Sequence, residues 1–314
     1  MACGVVRKAV WTPSNRSDHG PNINGSLGLK TLALLLTLFV TNALGADQLI
    51  EIDTGRKTGV FVRSPVLQRA ILSPPAQATG TALLFFRGWP GIGWIETAGD
   101  KARNLLPFMR EAEPLLHAAG IALVIVDCPT DQWGPRPRST FPESCDDTFR
   151  SSTSHAGDIR RLLEKLRTEH GMTDFYLLGH SYGSISSKWL ALALGDEIRG
   201  SIHSAAMTVQ GGGPYQRYGS SAALVPMEKI RARVLHLHHR QDACPNTPYA
   251  AVQGYAGENL VSIEGGAPTG SDPCGALHYH SYRGVERVAA EAVVRWITQG
   301  LLTPHAGIAE DQGH

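Results

Sequence analysis

Short stretches that are apolar on both faces recur along the chain, separated by segments whose apolar residues fall every third or fourth position. Ala82–Arg87 (ALLFFR), Ile121–Asp127 (IALVIVD), Phe175–Gly179 (FYLLG), Ile198–Ser204, Val234–His238 and Leu260–Ile263 have strand length and near-continuous apolarity. Strands covered by helices on both sides have this pattern, as in a parallel sheet. Leu49–Ile52 and Gly59–Arg63 predict a short strand pair ahead of them. Between the strands the segments are amphipathic. Ile159, Leu162, Leu163 and Leu166 form one stripe, opposite Arg160, Arg161, Glu164, Lys165 and Arg167. Near the C-terminus Val285, Val288, Ala292, Val293, Trp296 and Ile297 form another, with Glu291 placed four residues before Arg295 for a surface pair. Strand and helix thus alternate, which predicts an α/β fold with a mostly parallel central sheet flanked by helices.

One apolar run stands outside this alternation. Thr31–Val40 follows Lys30, has no polar face, and leads into the small-residue stretch Ala43-Leu44-Gly45. It is far shorter than the ~20 residues of a membrane-spanning helix. A basic residue, a short apolar run and a small-residue site make an export signal, with cleavage expected after Gly45. Residues 1–45 are therefore expected to be a leader, 46–302 one folded domain, and 303–314 a flexible tail. The mature chain is expected to be periplasmic or secreted, without stable membrane insertion.

Composition sharpens the picture in two places. The full chain has 29 Lys+Arg against 28 Asp+Glu, and loss of the leader removes Arg7, Lys8, Arg16, Lys30 and Asp18. No positive field remains to hold a polyanion, so nucleic acid is not an expected partner. Cys3 leaves with the leader, and the remaining Cys128, Cys145, Cys244 and Cys274 are even in number. In an oxidising compartment they pair, and sequence proximity favours Cys128–Cys145 and Cys244–Cys274.

The candidate chemistry begins where Phe175-Tyr176-Leu177-Leu178 runs into Gly179-His180-Ser181-Tyr182-Gly183 and then into helical sequence, Ile185–Leu194. A strand that turns sharply through G-x-S-x-G into a helix exposes its serine, because the glycines remove the Cβ atoms that would collide. A serine hydroxyl needs a base, and the base an orienting acid. Asp242 lies just past the strand ending at His238, while Asp127, Asp131 and Asp272 read better as turn or capping residues. His280 lies closer to the last helix than His278 and is the favoured base, with His278 as the alternative. The chain order Ser181, Asp242, His280 is the order this serine turn requires.

These features, with Phe86-Arg87-Gly88-Trp89-Pro90-Gly91 after an early strand, resemble those of the α/β-hydrolase-fold serine hydrolases over roughly Asp47 to Leu301. The resemblance implies an α/β-hydrolase fold without a large lid domain, and a Ser181–His280–Asp242 triad acting through an acyl-enzyme. It further implies an oxyanion hole made by the backbone N–H groups of Trp89 and Tyr182. In that family the loop usually begins His-Gly; Arg87 stands here instead, which leaves a backbone donor intact. A Cys244–Cys274 bridge would then tie the acid loop to the base loop.

The expected partner is a small acyl compound, most readily a carboxylic ester, with amides and peptides as alternatives. Trp89, Trp94, Trp133, Tyr215 and Tyr218 are candidate pocket aromatics. A metal-dependent reading would draw on His236, His238, His239, Asp242, His278 and His280, but the spacing matches no zinc signature. A further alternative is a binding protein that shares the fold without its activity. No dinucleotide or phosphate-loop motif is present, so no cofactor is expected.

Overall fold

Alternate residues of the central strands face two different cores, which explains why these strands are apolar throughout. The computed structural model describes residues 45–59, 61–133, 145–208 and 225–307. The apolar run at Thr31–Val40 therefore lies outside the described residues, as do Tyr215 and Tyr218.

The chain begins with strands β1 (Gln48–Thr58), β2 (Ser64–Ser73) and β3 (Thr81–Phe86). Helices α1 (Lys101–Asn104) and α2 (Pro107–Ala118) lead to β4 (Ile121–Val126). Then follow α3 (Asp147–Arg150), α4 (Thr153–His170), β5 (Asp174–His180), α5 (Gly183–Leu194) and β6 (Gly200–Ser204). After β7 (Arg233–His239) come α6 (Tyr249–Ala256), β8 (Leu260–Glu264), α7 (Glu286–Gln299) and β9 (His305–Gly307). The nine strands form one sheet in the order β1-β2-β4-β3-β5-β6-β7-β8-β9. Pairing is antiparallel from β1 to β2 and from β2 to β4, and parallel elsewhere.

Leu83 and Phe85 of β3 and Leu123 and Ile125 of β4 join one core with Phe108 and Leu116 of α2 and Val293 and Trp296 of α7. Their strand neighbours Leu84, Phe86, Val124 and Val126 join the other, with Ile159, Leu162 and Leu163 of α4 and Leu190 of α5. Helix α4 is capped at both ends: the Ser152 side chain accepts from His155 N–H, and Gly171 closes it with φ +66°. No large lid domain interrupts the described residues, and no described helix is long and apolar enough to cross a membrane.

Three local expectations need correction. Of the stretch expected over Gly59–Arg63, the described residues Gly59, Phe61, Val62 and Arg63 are not strand; the second strand is Ser64–Ser73, whose polar Gln68 and Arg69 interrupt the apolar pattern. Gln68 is buried, and its amide nitrogen donates to the Asp127 carbonyl at 2.6 Å, which gives its donor a partner inside the sheet. His305–Gly307, within the stretch expected as a tail, pairs with Ser262–Glu264 as β9. Glu291 pairs with Arg287 at 2.9 Å, while Arg295 donates to Thr303.

Candidate active site

Ser181 sits between β5 and α5 with φ +52°, a left-handed conformation that costs an ordinary side chain ~1–3 kcal/mol. The surroundings hold it there. Its N–H donates to the Ser204 carbonyl at 2.8 Å, and its own carbonyl accepts from Ser184 N–H at 2.9 Å. A Cβ on Gly179 would collide with the Gly183 carbonyl, and one on Gly183 with the carbonyls of Phe86 and Arg87. Both glycines are thus required by close backbone approach. A Cβ on Gly88 would lie 3.2 Å from that of Ser181, so the loop after β3 runs directly past the serine.

Asp242 lies in the turn after β7, where its N–H donates to the His239 carbonyl at 3.1 Å. His280 lies in a 3-10 turn, Tyr279–Ser281, ahead of α7. The structure brings these two together: His280 Nδ1 is 2.9 Å from Asp242 Oδ2, and both residues are buried. Thr247 Oγ1 donates to the same oxygen at 2.8 Å and lies 3.1 Å from His280 Nδ1. Cys244 N–H donates to Asp242 Oδ1 at 2.9 Å. Burial pushes the Asp242 carboxyl upward, but His280 and His238 outweigh it and hold the group well below the usual carboxylate range. Because Nδ1 faces a carboxylate, it carries the proton of a neutral ring, which leaves Nε2 as the acceptor. His280 Nε2 is buried and has no hydrogen-bond partner among the described residues.

Ser181 and His280 line one cavity of about 290 Å³, together with Trp89, Tyr182, Met207 and Asn246. The two residues named for an oxyanion hole, Trp89 and Tyr182, are therefore at the cavity that holds the serine. His278 is absent from its lining and packs its ring edge-on against Tyr279.

The competing acids have other work. Asp127 accepts from the N–H groups of Gly93, Ile95 and Cys128, fixing the loop that follows β3. Asp131 pairs with Arg56, and Asp272 accepts from Cys274 N–H as a turn residue. Both expected disulfides are present, Cys128–Cys145 and Cys244–Cys274. Two of the candidate aromatics are placed differently from expectation: Trp94 and Trp133 pack on the Cys128–Cys145 bridge and do not line the cavity. Burying that apolar disulfide requires large side chains over it.

Several members of the site have no motif to announce them. His238, noted for its alternation with His236, is 3.2 Å from Asp242 Oδ2 and 2.8 Å from the Thr247 carbonyl. Both partners accept, so its Nε2 carries a proton and is not a metal donor. His239 Nε2 likewise bonds the Gly265 carbonyl, and among the described residues no three His, Cys, Asp or Glu side chains are grouped to hold a metal. The His180 ring lies 5.1 Å from that of His280, tilted by 54°, and its Nδ1 lies 3.0 Å from Ser204 Oγ. Burial, and then the neighbouring His280, push His180 well below the ordinary histidine range, so it stays neutral. Arg150 is buried beneath the Tyr182 ring and donates to the carbonyls of Gly91 and Cys145.

No protein-family model and no curated protein sequence matches the chain. Solved structures do. Est1E from Butyrivibrio proteoclasticus with bound ferulic acid superposes with a TM-score of 0.51 at 17% identity, covering 74% of this chain and 94% of that one. Dienelactone hydrolase from Anabaena variabilis gives 0.49 at 17% identity, covering 80% and 97%. XC6422 from Xanthomonas campestris, an α/β serine hydrolase without a lid, gives 0.47 at 16%, covering 81% and 97%. At 17% identity and a TM-score of 0.51 the likeness to Est1E speaks to architecture alone: the chain has the α/β-hydrolase fold.

Proposed function

We propose that this protein is an exported serine hydrolase acting on carboxylic esters through an acyl-enzyme. The observation that supports it best is the meeting of Ser181, on its left-handed turn, with His280 at one cavity, while Asp242 holds the far nitrogen of His280. In this reading Ser181 Oγ attacks the acyl carbon as His280 Nε2 takes its proton, and Asp242 stabilises the imidazolium that forms. The N–H groups of Trp89 and Tyr182 hold the oxyanion, each such donor being worth about 3–4 kcal/mol in the transition state. His280 then protonates the leaving alcohol, and water cleaves the acyl-enzyme by the same steps reversed.

Esters fit better than amides because their leaving group needs less help from the acid. A cavity of about 290 Å³ suits a small acyl or aryl ester. Export is supported by the leader-like residues 1–45 and by two disulfides, which persist in oxidising compartments.

An activated phosphonate with and without chelator tests the class of enzyme, read by mass spectrometry alongside turnover of 4-nitrophenyl butyrate. The expected result is one adduct on Ser181, insensitive to chelator, and loss of turnover in a folded Ser181→Ala variant. Ser181→Ala retaining more than a few per cent of activity overturns the reading.

A further inference from the structure

Helix α5 starts at the serine turn and carries, one and a half turns further on, a lysine in a place where a charge is costly. Lys188 is only 2% exposed, and no carboxylate pairs with it among the described residues. Residues 209–224 contain no Asp or Glu and cannot supply one. Among the described residues its single hydrogen bond goes to the Tyr255 hydroxyl at 3.0 Å, and its Nζ lies 5.0 Å from the centroid of that ring. An ammonium group has three donors, so two have no partner among the described residues. Thr208, 8% exposed, also has a hydroxyl with no hydrogen-bond partner among the described residues. Buried polar groups left this way are uncommon in folded proteins and call for an explanation.

Lys188, Thr208 and Tyr255 line a second cavity of about 300 Å³ whose other walls include apolar Val225, Met227 and Ala251. It is separate from the cavity at Ser181 but shares a wall with it. Met207 and Asn246 line the first, Thr208 lines the second, and Thr208 N–H donates to the Asn246 carbonyl at 3.1 Å. We propose that Lys188, Thr208 and Tyr255 form a second ligand site, for a small monocarboxylate with an apolar chain.

The chemistry on each side matches. A carboxylate has two oxygens to accept from the Lys188 ammonium and the Thr208 hydroxyl, and the apolar walls would take its chain. Burial lowers Lys188 to about 7, so a bound anion restores the charge that burial opposes, and binding takes up a proton. Neighbouring groups do not compete. His203 on β6 and His236 on β7 both interact with Lys188, and burial keeps each of them below the ordinary histidine range and neutral. Burial also raises Tyr255 on α6, which therefore keeps its proton. Glu228 lines the cavity but is exposed to solvent, which screens its charge. The site stands independently of whether Ser181 is a nucleophile, although an ester hydrolase would release a ligand of this class.

Titration calorimetry with sodium hexanoate at pH 7 tests the site on the wild-type chain and on Ser181→Ala, Lys188→Met and Thr208→Val. Expected are equal saturable binding to the wild type and Ser181→Ala, at least tenfold weaker binding to Lys188→Met, and severalfold weaker binding to Thr208→Val. Proton uptake appears as a heat that changes with the buffer. Circular dichroism establishes that Lys188→Met is folded; if it is not, Thr208→Val, which keeps the side-chain shape, decides. Absence of saturable binding, loss of binding in Ser181→Ala, or unchanged binding in both cavity variants overturns the proposal. Displacement of hexanoate by equimolar inorganic phosphate also overturns it, by showing a plain anion site in which the apolar walls play no part.

Discussion

Asp242 illustrates how one residue can be specified by contacts that no short motif contains. Its Oδ2 faces His280, Thr247 and His238, and its Oδ1 accepts from Cys244 N–H. Such crowding of donors keeps the carboxylate ionised in a place where burial alone would protonate it. The proposed roles then separate the two nearby histidines. His280→Ala should lower kcat by several orders of magnitude, and should add little to the loss caused by Ser181→Ala, because a triad acts as a unit. His278→Ala, whose side chain makes no hydrogen bond to Asp242 among the described residues and does not line the Ser181 cavity, should leave kcat within about threefold, since changes away from the reacting atoms remove no transition-state contact. Steady-state kinetics on the two variants checks the assignment, and the reverse ranking would transfer the role to His278.

At the scale of elements, the turn from β5 to α5 and the two loops following β7 and β8 do different jobs. The first is fixed by glycines wedged against neighbouring backbone, so its geometry is built into the sheet. The other two are joined by the Cys244–Cys274 bridge across 30 residues of sequence. In the chain-entropy picture a loop of that length is worth on the order of 3–4 kcal/mol. Cys244 also anchors Asp242 through its N–H, so opening the bridge should disturb the acid before the sheet yields. Mild reduction is therefore expected to lower kcat at temperatures where circular dichroism is unchanged. A misplacement of about 1 Å can cost on the order of a hundredfold. Unchanged kcat in a Cys244→Ser/Cys274→Ser variant would show that the bridge contributes stability alone.

For the molecule as a whole, buried histidines set the response to acid. His155, His180, His203 and His236 are all buried and all shifted below the ordinary value of 6.5, His155 and His236 to about 3, with burial the leading cause each time. The folded state therefore refuses protons that the unfolded chain accepts once pH falls below about 6.5. Each such group lowers stability by up to about 1.4 kcal/mol per pH unit in that window. Asp242, depressed below the carboxylate range, adds its own loss only below about pH 4. The urea midpoint should be nearly flat above pH 7 and fall steeply between pH 6.5 and 4. A midpoint unchanged down to pH 4.5 would mean these side chains gain protons without unfolding.

Much of this was legible in the order of residues. Two-faced apolarity in IALVIV and ALLFFR is a local property, and it follows directly from burial between two cores; the same holds for the stripes of α4 and α7. The serine turn is local in part: a Cβ on Gly179 would meet the Gly183 carbonyl four residues on, whereas one on Gly183 would meet the Phe86 and Arg87 carbonyls of the neighbouring strand end. Pairing of Cys128 with Cys145 and of Cys244 with Cys274 followed from proximity in sequence. Tertiary structure decided the rest. Strand β2 escaped the pattern because Gln68 finds its partner 59 residues away, at the Asp127 carbonyl. Trp94 and Trp133 looked like pocket residues until the Cys128–Cys145 bridge was seen beneath them. His238 and Thr247 joined Asp242, and Lys188 lost its solvent, only when β7, α5 and α6 packed together. Hydrogen bonding and desolvation act between atoms adjacent in space, and only the folded chain sets that adjacency.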